Sequence, residues 1–199
     1  MNLPCKIAVA AGIMALSACV APVGPVEVTR FHVPELAAPG NVTIAVEPAQ
    51  GNDGASIEFR TYAAAVQREL ARIGYSELPF AAPGSRQVAA VSVERRSFQP
   101  ARGRSPVSVG LGGGTGSFGS GVGLGIGFDL SGPPAEQVET RLAVTIRDRQ
   151  SGRTLWEGRS AFAVKAGSPL AESHLGAAKM AEALFRDFPG NSGETILVK

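Results

Sequence analysis

VETRLAVTIRDRQSGRTLWEGRSAFAV, residues 138–164, is the stretch from which the fold can be read. In its first half Val138, Thr140, Leu142, Val144 and Ile146 alternate with Glu139, Arg141, Ala143, Thr145 and Arg147. That period of two gives a half-buried strand. Asp148 to Arg153 is a polar connector containing Gly152, and Leu155 to Val164 resumes as a strand, so the stretch is expected to form an antiparallel hairpin with Trp156, Phe162 and Val164 on one face.

Upstream, Val42-Thr43-Ile44-Ala45-Val46 is rich in β-branched residues between Gly40-Asn41 and Pro48, which predicts a core strand. Phe59, Ala63, Val66, Leu70 and Ile73 then recur at helical spacing, and Gly74 stands where a left-handed C-terminal cap belongs. Phe59 and Tyr62 lie on or beside that stripe and are expected to pack in the core. Val88 to Val93 predicts a strand leading to Arg95-Arg96. A last helix is expected to begin with Ser168 as N-cap and Pro169 at its first position. It should run through Leu175, Ala178, Ala181, Leu184 and Phe188 before stopping at Pro189-Gly190, with a closing strand over Thr195 to Val198. The order strand, helix, strand, hairpin, helix, strand is that of an α+β domain, a mostly antiparallel sheet with two helices on one face.

The chain's 199 residues suffice for one domain with a modest core, and 44% apolar against 18% charged residues is the balance of a chain that folds. A formal charge of +2 gives no electrostatic footprint for nucleic acid. The cysteines are Cys5 and Cys19, both in the first twenty residues, so no disulfide framework is available to the domain.

Those first residues read as a leader. Lys6 precedes the uncharged apolar run Ile7 to Leu16, which has the length of a signal-peptide core and falls short of the roughly 20 residues that span a bilayer. Leu16-Ser17-Ala18-Cys19 resembles the bacterial lipobox. That likeness implies removal of residues 1–18 and acylation of Cys19, and several acyl chains on one residue hold a protein stably to a membrane. Val20 after the cysteine, in place of an acidic residue, points to the periplasmic face of the outer membrane. Residues 19–40, with Pro22, Pro25, Pro34 and Pro39, are expected to be an extended tether, within which Val26 to Phe31 alternates as a short edge strand would. The domain is then residues 41–199, with a glycine-rich insertion over 107–130.

Leu70-Ala71-Arg72-Ile73-Gly74-Tyr75, a strand running into glycine-rich sequence, Ser151-Gly152-Arg153-Thr154-Leu155-Trp156-Glu157-Gly158, and Leu184-Phe185-Arg186-Asp187-Phe188-Pro189 occur in that order. Together, over roughly Val26 to Pro189, they resemble the bacterial lipoproteins grouped as domain of unknown function 4136. The resemblance implies a periplasm-facing lipoprotein and carries over no catalytic residues. This chain departs from that pattern where such proteins interleave tyrosine with glycine, since Phe118 and Phe128 are the only aromatic residues between Gly110 and Leu130.

No assembled chemistry is legible. His32 lies in the expected tether, and His174 is two residues after Glu172, a spacing that turns helical side chains apart. There is no Gly-x-Ser-x-Gly elbow, and with no cysteine beyond Cys19 in the mature chain no metal or cofactor is expected. Gly114-x-Gly116-x-x-Gly119 fits the dinucleotide fingerprint as text, but glycine and serine continue where a helix must begin. Arg95, Arg96, Arg102 and Arg104 are the one local concentration of charge. They are candidate ligands for phosphate or carboxylate groups, and equally the composition of a solvated strand end. Over 107–130, Val107, Val109 and Leu111, then Val122, Leu124, Ile126 and Phe128, alternate mainly with glycine or serine. That is a hairpin with one apolar face, which either extends its own sheet or meets another molecule.

The expectation is a non-enzymatic lipoprotein, anchored through Cys19, whose domain binds or assembles with an envelope protein, peptidoglycan or lipopolysaccharide. The alternative is an envelope enzyme acting on cell-wall or lipid material through carboxylates such as Glu136, Glu139 and Asp148. The two differ in whether acids and histidines gather in one concave pocket.

Overall fold

A computed structural model describes residues 24–34, 36, 39, 40, 42–100, 107–114, 121–128 and 134–199, with 107–114 and 121–128 described by their backbone alone. The leader, Cys19 and the segment 115–120 lie outside the described residues.

The hairpin forms as its alternation requires. Strands β7 (Gln137–Asp148) and β8 (Thr154–Lys165) pair antiparallel, Val138 opposite Val164 and Leu142 opposite Ser160, with a register irregularity at Ile146/Arg147. Leu142, Val144, Ile146, Trp156, Phe162 and Val164 are all buried. β4 (Gln87–Phe98) pairs antiparallel with the other edge of β7 along its whole length. It is thus longer than its apolar segment, and Arg95 and Arg96 sit within the strand rather than beyond it. β2 (Thr43–Pro48) runs parallel to β4 and to the short β3 (Ser76–Glu77).

β1 (Val26–His32) corrects two expectations. Residues 19–40 are not tether throughout, and the strand is not an edge: β1 lies between β8 and β9 (Thr195–Val198), antiparallel to both, in a seven-stranded sheet of order β3-β2-β4-β7-β8-β1-β9. Val26 and Val28 are fully buried, and only a neighbour on each side lets a strand bury its apolar positions while pairing both rows of backbone groups. A second sheet holds only β5 (Val107–Gly114) and β6 (Gly121–Phe128), paired antiparallel.

Helix α1 (Ile57–Arg72) starts at Ser56, whose hydroxyl accepts from the Phe59 amide. It ends as Gly74 predicts, with φ of +105°, the Gly74 amide donating to Ala71 O and the Tyr75 amide to Leu70 O. Phe59, Tyr62, Ala63, Val66 and Leu70 face the core.

The second helical segment departs from expectation. Ser168 caps only a single 3₁₀ turn, Pro169–Ala171. The extended Glu172 interrupts it, and α2 (Ser173–Phe185) begins afresh. The break rotates the buried stripe to Ala177, Met180, Ala181, Leu184 and Phe185, leaving Leu175 and Ala178 exposed and Phe188 beyond the helix. Arg30 reaches from β1 to donate from Nη2 to Ala183 O at 3.0 Å, satisfying one of the orphan carbonyls at the end of α2. Both helices cover the face of the sheet that carries Val91, Val144 and Trp156, and the core lies between.

Candidate functional site

Among the described residues the opposite face of the sheet is uncovered over its central strands, where Glu27, Arg141 and Arg159 stand exposed, and its cross-strand rows can be read from the register. One row runs Glu94, Arg141, Ala161, Glu27 and Leu197; the next runs Ser92, Ala143, Arg159, Thr29 and Thr195. Small side chains at Ala143 and Ala161 leave the centre low while charged side chains rise around it. The result is a groove of about 670 Å³ lined among others by Glu27, Thr29, Glu94, Glu139, Arg141 and Arg159.

The groove is held by ion pairs. Glu139 accepts from Arg96 Nε at 2.7 Å through one oxygen and from Arg141 Nε at 3.0 Å through the other. These bonds, Arg96's first and against the opposing effect of burial, hold the Glu139 carboxyl below the ordinary glutamate range. Arg159 pairs with Glu157 on the same face. Thr29 Oγ1 and Thr195 Oγ1 are hydrogen-bonded at 2.7 Å, closing the β1–β9 side.

The candidate arginines separate. Arg95 and Arg96 are adjacent residues of one strand and therefore point to opposite faces. Arg95 turns to the helices, donating to Glu58 Oε1 at 2.8 Å, to Ser173 Oγ at 2.9 Å and to Ala171 O, so it braces the starts of α1 and α2. The Arg95 hydrogen bond is also the main cause lowering the Glu58 carboxyl pKa. Arg96 alone of the pair lies on the groove's side of the sheet, where it binds the groove-lining Glu139. Arg102 and Arg104 lie outside the described residues.

The carboxylates singled out for an enzyme do not converge either. Glu139 and Asp148 are nine residues apart on β7, about 30 Å in an extended strand, and Glu136 is exposed before it. Asp148 accepts from the Ser151 amide at 2.8 Å and from its hydroxyl at 2.7 Å, bonds that lower its pKa and fix the β7–β8 turn. His32 bonds to the backbone oxygens of Val33 and Gly190, and His174 lies exposed near Glu172. The groove does gather Glu27, Glu94 and Glu139. Glu139 was marked by the alternation of β7, but Glu27 and Glu94 become neighbours of Arg141 only through the placement of β1 and β4, which no local pattern announces.

A family model described as "Domain of unknown function (DUF4136)" matches residues 35–190. The chain belongs to this family. DUF4136 thus spans both helices and the central sheet, and an uncharacterized protein of Zymomonas mobilis is 30% identical over 217 residues, 88% of this chain and 80% of that one. Among solved structures, a PDZ domain protein from Parabacteroides distasonis aligns over 96% of this chain and 42% of its own at 12% identity and a TM-score of 0.47. A PelC dodecamer from Paraburkholderia phytofirmans aligns over 80% and 94% at 13% identity and a TM-score of 0.44. Both likenesses are too distant to bear on function.

Proposed function

We propose that this DUF4136 chain is an outer-membrane lipoprotein, anchored through Cys19 and facing the periplasm, whose domain binds an envelope component without catalysis. The uncovered sheet face carries the binding half of this reading. It is concave and of mixed charge, and its Glu139 carboxyl is held below the ordinary glutamate range by two guanidinium groups, which suits recognition of a charged protein, peptidoglycan or lipopolysaccharide surface better than proton transfer by that carboxyl. Arg96 and Arg141 share one carboxylate, so a partner's phosphate or carboxylate competes with Glu139 for two guanidinium forks. The lipobox-like Leu16-Ser17-Ala18-Cys19 supports the anchoring half.

The test is photo-crosslinking in intact envelopes. A crosslinker in place of Ala143 or Ala161 on the sheet face is expected to capture a defined envelope component, and one in place of the exposed Ala64 of α1 is not. Identical adducts from all three positions, or none from the sheet face, would overturn the assignment of this face.

A further inference from the structure

The topology puts the start of β1, which follows the expected lipid tether, at the same rim of the sheet as the strand ends that flank the glycine-rich hairpin. Phe98, at the end of β4, lies opposite Gln137, at the start of β7, and Gln137 lies opposite Lys165 at the end of β8. The segment carrying β5 and β6 therefore leaves and returns at that end of the sheet. β1 is antiparallel to β8 and begins at Val26 beside it, with Val198 of β9 alongside. Val26 is the seventh residue after Cys19, at most about 25 Å of extended chain. Each hairpin strand has eight residues, about 26 Å at strand rise. A hairpin rising from that rim is thus long enough to reach whatever surface holds Cys19.

Its register supplies the matching chemistry. Val107 pairs with Phe128, Val109 with Ile126 and Leu111 with Leu124, while Ser108 pairs with Gly127, Gly110 with Gly125 and Gly112 with Gly123. Pairs alternate between the two faces of a ribbon, so aliphatic and aromatic positions share one face and glycine and serine the other. Among the described residues, β5 and β6 pair only with each other and add no strand to the seven-stranded sheet.

We infer that the β5–β6 hairpin lies on the lipid surface as a second contact, its apolar face turned to the acyl boundary, an inference that rests on the lipid-anchored reading. Eight-residue strands fall short of the roughly 9–11 that span a bilayer, and the two outer edges of a lone hairpin have backbone groups that hydrocarbon cannot satisfy, which places the ribbon along the interface rather than across it. A weak contact suffices there. The acyl anchor keeps the hairpin at high effective concentration beside the bilayer, so its effect is to orient the domain rather than to hold it.

The test uses the mature lipidated protein in phosphatidylethanolamine–phosphatidylglycerol vesicles. Acylation of Cys19 and loss of Cys5 with the leader leave an introduced cysteine as the single labelling site. An environment-sensitive fluorophore on Leu124→Cys or Ile126→Cys is expected to be quenched several-fold more strongly by lipid-borne nitroxide than one on Gly125→Cys or on Ala64→Cys of α1. Val109→Cys and Leu111→Cys repeat the measurement on the other strand should the first pair fail to fold. Equal quenching at all positions, or disulfides between copies at Leu124→Cys without lipid quenching, would overturn the inference, the latter in favour of hairpin pairing between molecules. Mass spectrometry of the N-terminus separates the two readings: an unmodified Cys19 removes the anchor, while face-specific quenching with added vesicles would still establish the lipid contact.

Discussion

Trp156 is the largest of the fully buried side chains, and its surroundings show how much of the core depends on one position. Its ring stacks on Phe185 with centroids 5.2 Å apart and an interplanar angle of 19°, meets Phe188 at 5.3 Å, and donates its indole N–H to Pro189 O at 3.1 Å. It thus ties the hairpin to the end of α2 and to the turn beyond. Trp156→Ala is expected to cost about 3–5 kcal/mol in urea unfolding, and a change within about 0.5 kcal/mol would show that the site collapses freely. The neighbouring Gly158 is what lets the ring lie flat. A Cβ there would stand 2.2 Å from Trp156 Cη2 and 2.8 Å from Leu184 Cδ1, so Gly158→Ala must move the indole or the helix and is expected to destabilise by about 1–3 kcal/mol. The same substitution at Gly152, where no atom lies within 4 Å but φ is +71°, tests backbone strain without overpacking.

At the scale of elements, the ion pairs on the two faces of the sheet carry a pH dependence of definite sign. Glu139 and Glu58 have carboxyl pKa values lowered in the folded state, chiefly by Arg96 and Arg95 respectively. Such groups contribute stability that is complete above the unfolded value of about 4.3 and is lost as pH falls through the lowered folded value. Stability should therefore fall below about pH 5, and Glu139→Gln should flatten that fall while costing up to about 1 kcal/mol at pH 7. An acid limb that is identical in wild type and variant would show the Glu139 pairs to be energetically silent. These elements also show where the chain is legible and where it is not. The strict alternation of β7, the apolar stripe of α1 from Phe59 and its stop at Gly74 are local physics, and sequence alone places them. The run from Ser168 into Leu175 carries a strong N-cap followed by Pro169, so it reads as one helix. The interruption at Glu172 becomes visible only when Arg95 is seen binding Ala171 O and Ser173 Oγ from the sheet beneath. Likewise Val26-Glu27-Val28 announces a strand, but its place between β8 and β9 depends on a pairing partner nearly 170 residues away. The groove inherits that limit: Glu139 and Arg141 are readable as one polar face, whereas Glu27 joins them only by long-range pairing.

For the whole molecule, the decisive prediction concerns how the domain is held. The described fold is a seven-stranded sheet covered on one side by two helices, with a separate two-stranded hairpin, and no described helix is long and apolar enough to cross a membrane. The lipobox-like segment lies seven residues before β1, so an anchor on Cys19 would act on the rim where β1 starts, with little slack. Two consequences can be measured separately. Cys19→Ala should either leave the leader uncut or release the domain from membranes, because without acyl chains neither the ion-paired groove nor a weak hairpin contact supplies the roughly 0.8 kcal/mol per methylene that lipid chains bury. Inserting a flexible Gly/Ser spacer after Val20 should leave membrane association intact, since the chains are unchanged, but should loosen the domain's orientation and weaken capture by crosslinkers at Ala143 and Ala161 if the partner sits at a fixed height in the envelope. Membrane association that survives Cys19→Ala with the leader removed would refute the anchor. Capture unchanged by the spacer would mean that the groove meets its partner independently of the membrane, leaving the sheet face as the binding surface but removing the tether from its mechanism.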